Sequence, residues 1–239
     1  MILCHPVNTA IMYKKILFLL PLLPVFLSLP AQEPVTRSLG SFSKLVATDR
    51  VIVRLVKAER ESATISVQGI DESAVKTEVE GNTITISIYG EPFTKKKVMV
   101  TLNYVTLTDI TVNGSAEVTT TSLFKAGSLA VDLKSGGMLY LDADIENLNS
   151  RVIEGALLTA EGYATEHNIV VATSGTVSAY DLESESVIVK ATTGGKAKIN
   201  VETSLDADAG SKGFITYKGN PAQIKRTVNS GGTIAVYEP

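Results

Sequence analysis

From Thr36 onward, apolar and polar side chains alternate with a period of two, and small turn-forming residues interrupt them at intervals. Between Thr36 and Val112 the apolar positions run Val51, Val53, Leu55; Ile65, Val67; Val75, Val79; Ile84, Ile86, Ile88; and Val98, Val100, Leu102. Alternation of this kind predicts strands with one face buried. Gly81-Asn82 between two such runs has the chemistry of a hairpin turn. Asp71-Glu72-Ser73 and Glu91-Pro92-Phe93 read as further turns, and no ten-residue stretch carries a helical stripe.

Beyond this zone the pattern repeats about every nineteen residues. Gly114, Gly137, Ala156, Gly175, Gly195, Gly213 and Gly232 mark the repeats, at spacings of 23, 19, 19, 20, 18 and 19. Two residues past the markers stand Ala116, Leu139, Leu158, Val177, Ala197, Ile215 and Ile234. Four past stand Val118, Leu141, Ala160, Ala179, Ile199, Tyr217 and Val236. Four before stand Ile110, Leu133, Val152, Val171, Ala191, Ala209 and Val228. These columns are apolar throughout. Six before stand Val131, Ser150, Ile169, Val189 and Ala207, and in this column Arg226 is the clear exception.

A fixed period of this length predicts a solenoid, because one coil cannot bury its apolar face alone and stacked coils can. The markers are read as turn residues, with glycine supplying a positive φ. The resulting fold is all-β: a right-handed parallel β-helix of ~19-residue coils with a β-rich N-terminal cap. An antiparallel sandwich of hairpins remains the competing architecture, since it shares the short-strand signature.

Three segments carry a family resemblance: Leu133-Lys134-Ser135-Gly136-Gly137-Met138-Leu139, Tyr217-Lys218-Gly219-Asn220-Pro221 and Ser230-Gly231-Gly232-Thr233-Ile234. The chain from about Val35 to Glu238 resembles the putative auto-transporter adhesin, head GIN domain, a family of secreted proteins common in Bacteroidetes-type bacteria. The family's Gly-Ser-Gly-Asp/Glu turns are best kept at Asn113-Gly114-Ser115-Ala116-Glu117 and least at Glu154-Gly155-Ala156. The resemblance implies the β-helix with its cap. It supplies no catalytic residue.

The N-terminus changes the picture of where the protein works. Lys14-Lys15, the apolar run Ile16 to Leu29 and the small residue in Pro30-Ala31-Gln32 read as a secretory signal, with Met12 rather than Met1 as the expected start. The run is too short, and too rich in proline, to be a membrane span. The expected organisation is therefore 1–31 as extension and signal, 32–112 as the cap and 113–239 as the repeat array, the last two forming one continuous domain. Export to the periplasm, the outer-membrane surface or the medium follows.

Composition removes several chemistries. The only cysteine is Cys4, so the exported chain has neither a disulfide framework nor a thiolate. It keeps 20 bases and 25 acids, a net charge of −5, which argues against nucleic acid. Its one histidine, His167, cannot supply a zinc site and is expected to be structural, at a turn or half buried. The Gly-rich turns lack the Lys-Ser/Thr of a phosphate loop. No cofactor and no metal are expected. Lys95-Lys96-Lys97 reads as a solubilising turn or a protected edge strand.

Candidate chemistry lies on the outward positions. Five past the markers stand Asp142, Glu161, Tyr180, Asn200, Lys218 and Tyr237; seven past stand Asp144, Tyr163, Leu182, Glu202 and Asn220. One coil of separation would bring Asp142 and Glu161 to ~5 Å. Tyr140, Asp142, Asp144, Glu161, Tyr163 and Tyr180 thus form an expected outward patch, with carboxylates and ring faces suited to a sugar or to a Ca²⁺-assisted contact.

The leading expectation is a secreted, non-enzymatic, adhesin-like solenoid that binds a surface glycan or protein. The alternatives are a polysaccharide-active lyase or glycosidase using acids on the coil face, and a structural cell-envelope protein. The open end at Ile234 to Val236 predicts end-to-end homodimerisation.

Overall fold

The alternating pattern becomes strand along almost all of the described chain. The computed structural model describes Met1, residues 34–90 and residues 97–237. The expected signal sequence, Cys4, the turn at Glu91-Pro92-Phe93 and Lys95-Lys96 lie outside the described residues.

In the first half the strands are β1 (Val35–Ser38), β2 (Lys44–Ala47), β3 (Ile52–Lys57), β4 (Ser62–Gln68), β5 (Val75–Glu80), β6 (Thr83–Ile88), β7 (Lys97–Tyr104), β8 (Asp109–Val112) and β9 (Glu117–Thr120). In the second half they are β10 (Phe124–Leu133), β11 (Met138–Val152), β12 (Leu157–Val171), β13 (Thr176–Ala191), β14 (Lys196–Ala209), β15 (Phe214–Lys218), β16 (Gln223–Val228) and β17 (Thr233–Val236). From β8 to β15 each pairs with the next coil in parallel, ending on β16 and β17, which makes a β-solenoid of about 7 turns. Residues from Gln32 to Pro239 form one compact unit.

Each long strand runs around most of a coil. In β11 the inward residues are Leu139, Leu141, Ala143 and Ile145, then Leu148, Ser150 and Val152. The alternation slips by one at the corner Glu146-Asn147, so the two halves of the strand form two walls that share one core. The second wall leads into the glycine turn, and the turn leads into the first wall of the next coil.

The turns show why the repeat looks as it does. Seven four-residue turns close with an N–H to C=O bond of 2.8 to 3.1 Å, from Ala116 to Asn113 through to Gly232 to Asn229. Both central residues of each turn are left-handed, for example Ser135 (φ 50) with Gly136 (φ 73) and Thr173 (φ 49) with Ser174 (φ 61). Successive turns also bond to one another: Gly136 N–H donates to the Glu154 carbonyl (3.0 Å) and Gly155 N–H to that of Thr173 (3.1 Å). This ladder holds non-glycine residues in a conformation that costs ~1–2 kcal/mol each.

The marker glycines therefore do a different job from the one expected. From Gly137 onward their own φ is ordinary, and what they lack is room. A Cβ on Gly175 would sit 2.3 Å from the Val152 carbonyl oxygen, and one on Gly213 would sit 2.0 Å from that of Ala191. Ala116 and Ala156 fill the same place in two coils, so the requirement is smallness.

The first marker also moves. Leu139 pairs with Val118, and Leu133 with Val112. Ala116 is the true equivalent of Gly137, while Gly114 is a central turn residue with φ 59. Val118 and Val112, rather than Ala116 and Ile110, begin their columns.

The N-terminal strands stack out of chain order. β2 lies between β6 and β8, and β3 lies between β7 and β9, all in parallel. The β2–β3 turn repeats the left-handed pair at Asp49 (φ 63) and Arg50 (φ 62). Segment 32–112 therefore supplies rungs of the stack as well as its end. That end is closed by antiparallel strands: β5 on β6, β4 on β7 and β1 on β4.

Candidate functional site

The first wall of the middle coils presents the outward patch. Asp142 pairs with Glu161, and Glu161 with Asp181, giving a row of three carboxylates from three successive coils. The next row along the strand is Lys125, Asp144, Tyr163 and Glu183. Tyr140 lies two residues before Asp142 on the same outward face, between Thr119 and Thr159. Five of the six expected residues are thus neighbours.

A glycine sets the geometry of this wall. Gly162 has φ 100, and a Cβ there would stand 2.2 Å from the Ala143 carbonyl oxygen. It lets β12 press against β11 between Glu161 and Tyr163. Glycine inside a strand signals such close approach of two backbones.

Beside it an open groove of about 460 Å³ is lined by Lys125, Gly127, Asp144, Glu146, Tyr163 and Thr165. Lys125 Nζ donates to Asp144 Oδ2 at 2.8 Å, and Tyr163 Oη donates to Glu185 Oε1. That hydrogen bond to Glu185 raises the Tyr163 phenol above its usual range, with a smaller contribution from burial. Lys125, Gly127, Glu146, Thr165, Asp181, Glu183 and Glu185 were missed by reading fixed offsets from the markers.

Tyr180 is placed elsewhere. Thr159 pairs with Ser178 and Glu161 with Asp181, so Ala160 faces both Ala179 and Tyr180 across a bulge. The Tyr180 hydroxyl donates to Thr216 Oγ1 at 2.6 Å, and its ring lies 4.7 Å from that of Tyr237. Lys218 approaches the Tyr180 ring at 6.0 Å and Asp181 at 4.0 Å. Tyr180 therefore belongs to the C-terminal coils. The same bulge turns Leu182 inward, where it is fully buried rather than exposed.

His167 lies in the core, 1% exposed, in the column of Leu148 and Val187. Its Nε2 is 3.0 Å from Ser150 Oγ. Burial lowers its pKa to about 3, so it stays neutral. This residue is neither at a turn nor half buried, and no substrate on the surface reaches it. Among the described residues, no group of three or more His, Cys, Asp or Glu side chains is arranged to hold a metal ion. None of the described helices is long and apolar enough to cross a membrane.

The second wall has a different electrostatic character. Its charges pair from coil to coil: Asp132 with Arg151 at 3.0 Å, Asp208 with Lys190 at 3.6 Å, and Asp206 with Lys225 at 2.8 Å. Asn168 donates to Asn149 at 3.2 Å, and Val170 and Ile188 stand exposed between these pairs.

The fold matches several solved structures. A putative adhesin from Bacteroides fragilis superposes with a TM-score of 0.76 at 22% identity, covering 87% of this chain and 99% of the other. A protein described as a putative lipid binding protein from Parabacteroides distasonis gives 0.67 at 17%, covering 86% and 97%. A putative adhesin from Parabacteroides merdae gives 0.63 at 21%, covering 86% and 97%. At these identities the likeness is one of fold. Among curated protein sequences, none matches this chain. The family model for the putative auto-transporter adhesin, head GIN domain, matches residues 41–221, and the chain belongs to that family.

Proposed function

We propose that the protein is an exported, non-enzymatic binding module of the adhesin type. It holds a hydroxyl-rich glycan against the wall formed by Tyr140, Asp142, Asp144, Glu161 and Tyr163. The observation that carries this reading is the groove beside Tyr163, together with the Asp142–Glu161–Asp181 row.

The chemistry suits sugars. Carboxylates accept charge-assisted hydrogen bonds from hydroxyl groups. A tyrosine offers an apolar ring face and a polar tip to the same ligand. The platform is a stacked sheet, so little order has to be created on binding. The acidic rows repel polyanions, which turns the preference toward neutral glycans and away from nucleic acid and acidic polysaccharides.

Several features favour binding over turnover. The groove is open to water, whereas catalysis by an acid–base pair needs a site that positions substrate and restrains solvent. The histidine is sealed in the core. The family and the Bacteroides fragilis fold relative carry adhesin descriptions, which agrees with a surface or extracellular setting reached through the signal expected at the N-terminus.

A glycan array probed with residues 32–239 tests the reading, with parallel incubations watched for new reducing ends or unsaturated products. Retention of a neutral glycan family, lost in Glu161→Gln and Tyr163→Ala, is expected. Cleavage products that disappear in Asp142→Asn would replace this reading with the enzymatic one.

A further inference from the structure

The corner between the two walls carries one residue per coil. Gly127, Glu146, Thr165 and Glu185 hold this place in β10 to β13, between the paired column Ala126, Ile145, Ala164, Ser184 and the paired column Ser128, Asn147, Glu166, Ser186. Three of the four present a side chain, so the bend itself does not call for glycine. Gly127 does not have a positive φ either. A Cβ there would meet nothing nearer than Glu146 Oε2 at 3.8 Å. Neither backbone conformation nor packing accounts for this glycine, and glycine inside a strand also marks places that a ligand approaches closely. Its effect is a notch in the corner column, where the groove of about 460 Å³ opens.

Across the notch stands Tyr163. Its phenol donates to Glu185, one coil further on and on the side away from Gly127. A tyrosine side chain turns about only two bonds, so one hydrogen bond at its tip fixes it. Without that bond the ring is free to lean over β11 and fill the groove. Of the two carboxylates lining the groove, Asp144 accepts from Lys125, whereas Glu146 makes no hydrogen bond or ion pair among the described residues.

We propose that the notch above Gly127 is a subsite for one neutral pyranose ring, with Glu146 as a direct contact and Glu185 as a positioning residue that acts through Tyr163. This inference rests on the reading of the first wall as a glycan-binding face. Glu146 accepts charge-assisted hydrogen bonds from the ring hydroxyls. Tyr163 offers an apolar surface to the ring. A side chain already pinned by Glu185 loses less freedom on binding than a mobile one. The groove lies at the small end of the ~300–1,000 Å³ range of small-molecule sites, which suits one ring with the rest of the chain lying along the acidic row. Gly127 sets the size limit.

An array of neutral glucose-, galactose- and mannose-based oligosaccharides tests the subsite on residues 32–239, with each variant checked for its folded circular dichroism spectrum. Gly127→Leu should weaken retention at least tenfold, and Gly127→Ala less, because the larger side chain fills more of the groove. Glu146→Gln should weaken it about tenfold. Glu185→Ala should weaken it about three- to tenfold, and Glu185→Gln, whose amide oxygen still accepts from the phenol, should recover most of the loss. A readout without glycan is the titration of Tyr163, followed by carbon-13 NMR of labelled tyrosine. The bond to Glu185 holds this phenol above its usual range, so Glu185→Ala should bring it down. An unshifted Tyr163 in Glu185→Ala overturns the positioning role, and full retention by Glu146→Gln overturns that contact. Retention unaffected by Gly127→Leu but lost in Glu161→Gln overturns the subsite and leaves the glycan reading standing. A wild type that retains none of these glycans overturns both.

Discussion

The two walls of the solenoid are made from the same strands and enclose the same core, yet only the first sets carboxylates of successive coils in one row. On the second wall, carboxylates meet bases one coil away, at Asp132–Arg151, Lys190–Asp208 and Asp206–Lys225. On the first wall Asp144 also meets a base, Lys125 at 2.8 Å, but beside that pair Asp142, Glu161 and Asp181 fall in one row. Of these three, only Asp181, at the margin, approaches a base, Lys218 at 4.0 Å. A wall that satisfies itself needs no ligand. A row of like charges costs stability unless water or a partner intervenes. The contrast separates a face that serves the stack from a face available for binding.

The largest effect should come from the glycine that shapes the first wall. Gly162→Val places a β-branched side chain at φ 100, against the Ala143 carbonyl. A loss of ~3 kcal/mol or more in chemical denaturation is expected. Gly127→Ala in the same groove, where a Cβ meets nothing nearer than Glu146 Oε2 at 3.8 Å, should cost under ~1 kcal/mol. Equal losses would mean that the close approach at Gly162 does not shape this wall.

Next comes the core beneath both walls. His167 has its folded pKa lowered to about 3 by burial, below its ordinary value of 6.5. Between these values the unfolded chain binds a proton that the native state refuses, so stability falls as pH drops below about 6.5. Moving from pH 7 to pH 5 should cost about 2 kcal/mol through this residue. The double variant His167→Leu/Ser150→Ala should lose that part of the pH dependence. Parallel profiles for the two proteins would show that His167 is protonated in the fold.

The wall charges should give the smallest changes in stability. Arg151→Ala removes a solvent-exposed ion pair and should cost at most ~1 kcal/mol, less in high salt. Asp142→Asn should leave stability unchanged or raise it by a few tenths of a kcal/mol, because it relieves a row of like charges. If the Asp142 change were instead the more damaging, the row would be holding the structure together.

Much of the fold was legible because burial repeats in two registers at once. Period two gave the strand faces, and a period of nineteen aligned Leu139, Leu158, Val177, Ala197 and Ile215 into one column. The left-handed Ser135, Thr173 and Thr193 were not legible, because the bonds that hold them come from the neighbouring turn rather than from their own sequence. Nor was the insertion of β2 and β3 between later strands, since pairing out of chain order leaves no periodic trace.

The candidate site was read in part. Asp142 and Glu161 fell together because both lie five residues past equivalent markers. Tyr180 was misplaced because the coil from Gly175 to Gly195 holds 20 residues, and the extra one is absorbed as a bulge just before Asp181. That longer spacing was the signal in the sequence. Once one residue is added, every later offset changes face.

The most direct test sets the two walls against each other with one ligand. A neutral glycan retained on the array would be titrated by calorimetry into wild type, Asp142→Asn/Glu161→Gln and Arg151→Ala/Lys190→Ala, all with matched thermal stability. The account predicts at least a tenfold loss of affinity for the first double variant and no change for the second. Undiminished binding by Asp142→Asn/Glu161→Gln, with loss in Arg151→Ala/Lys190→Ala, would place the ligand on the other wall and contradict it.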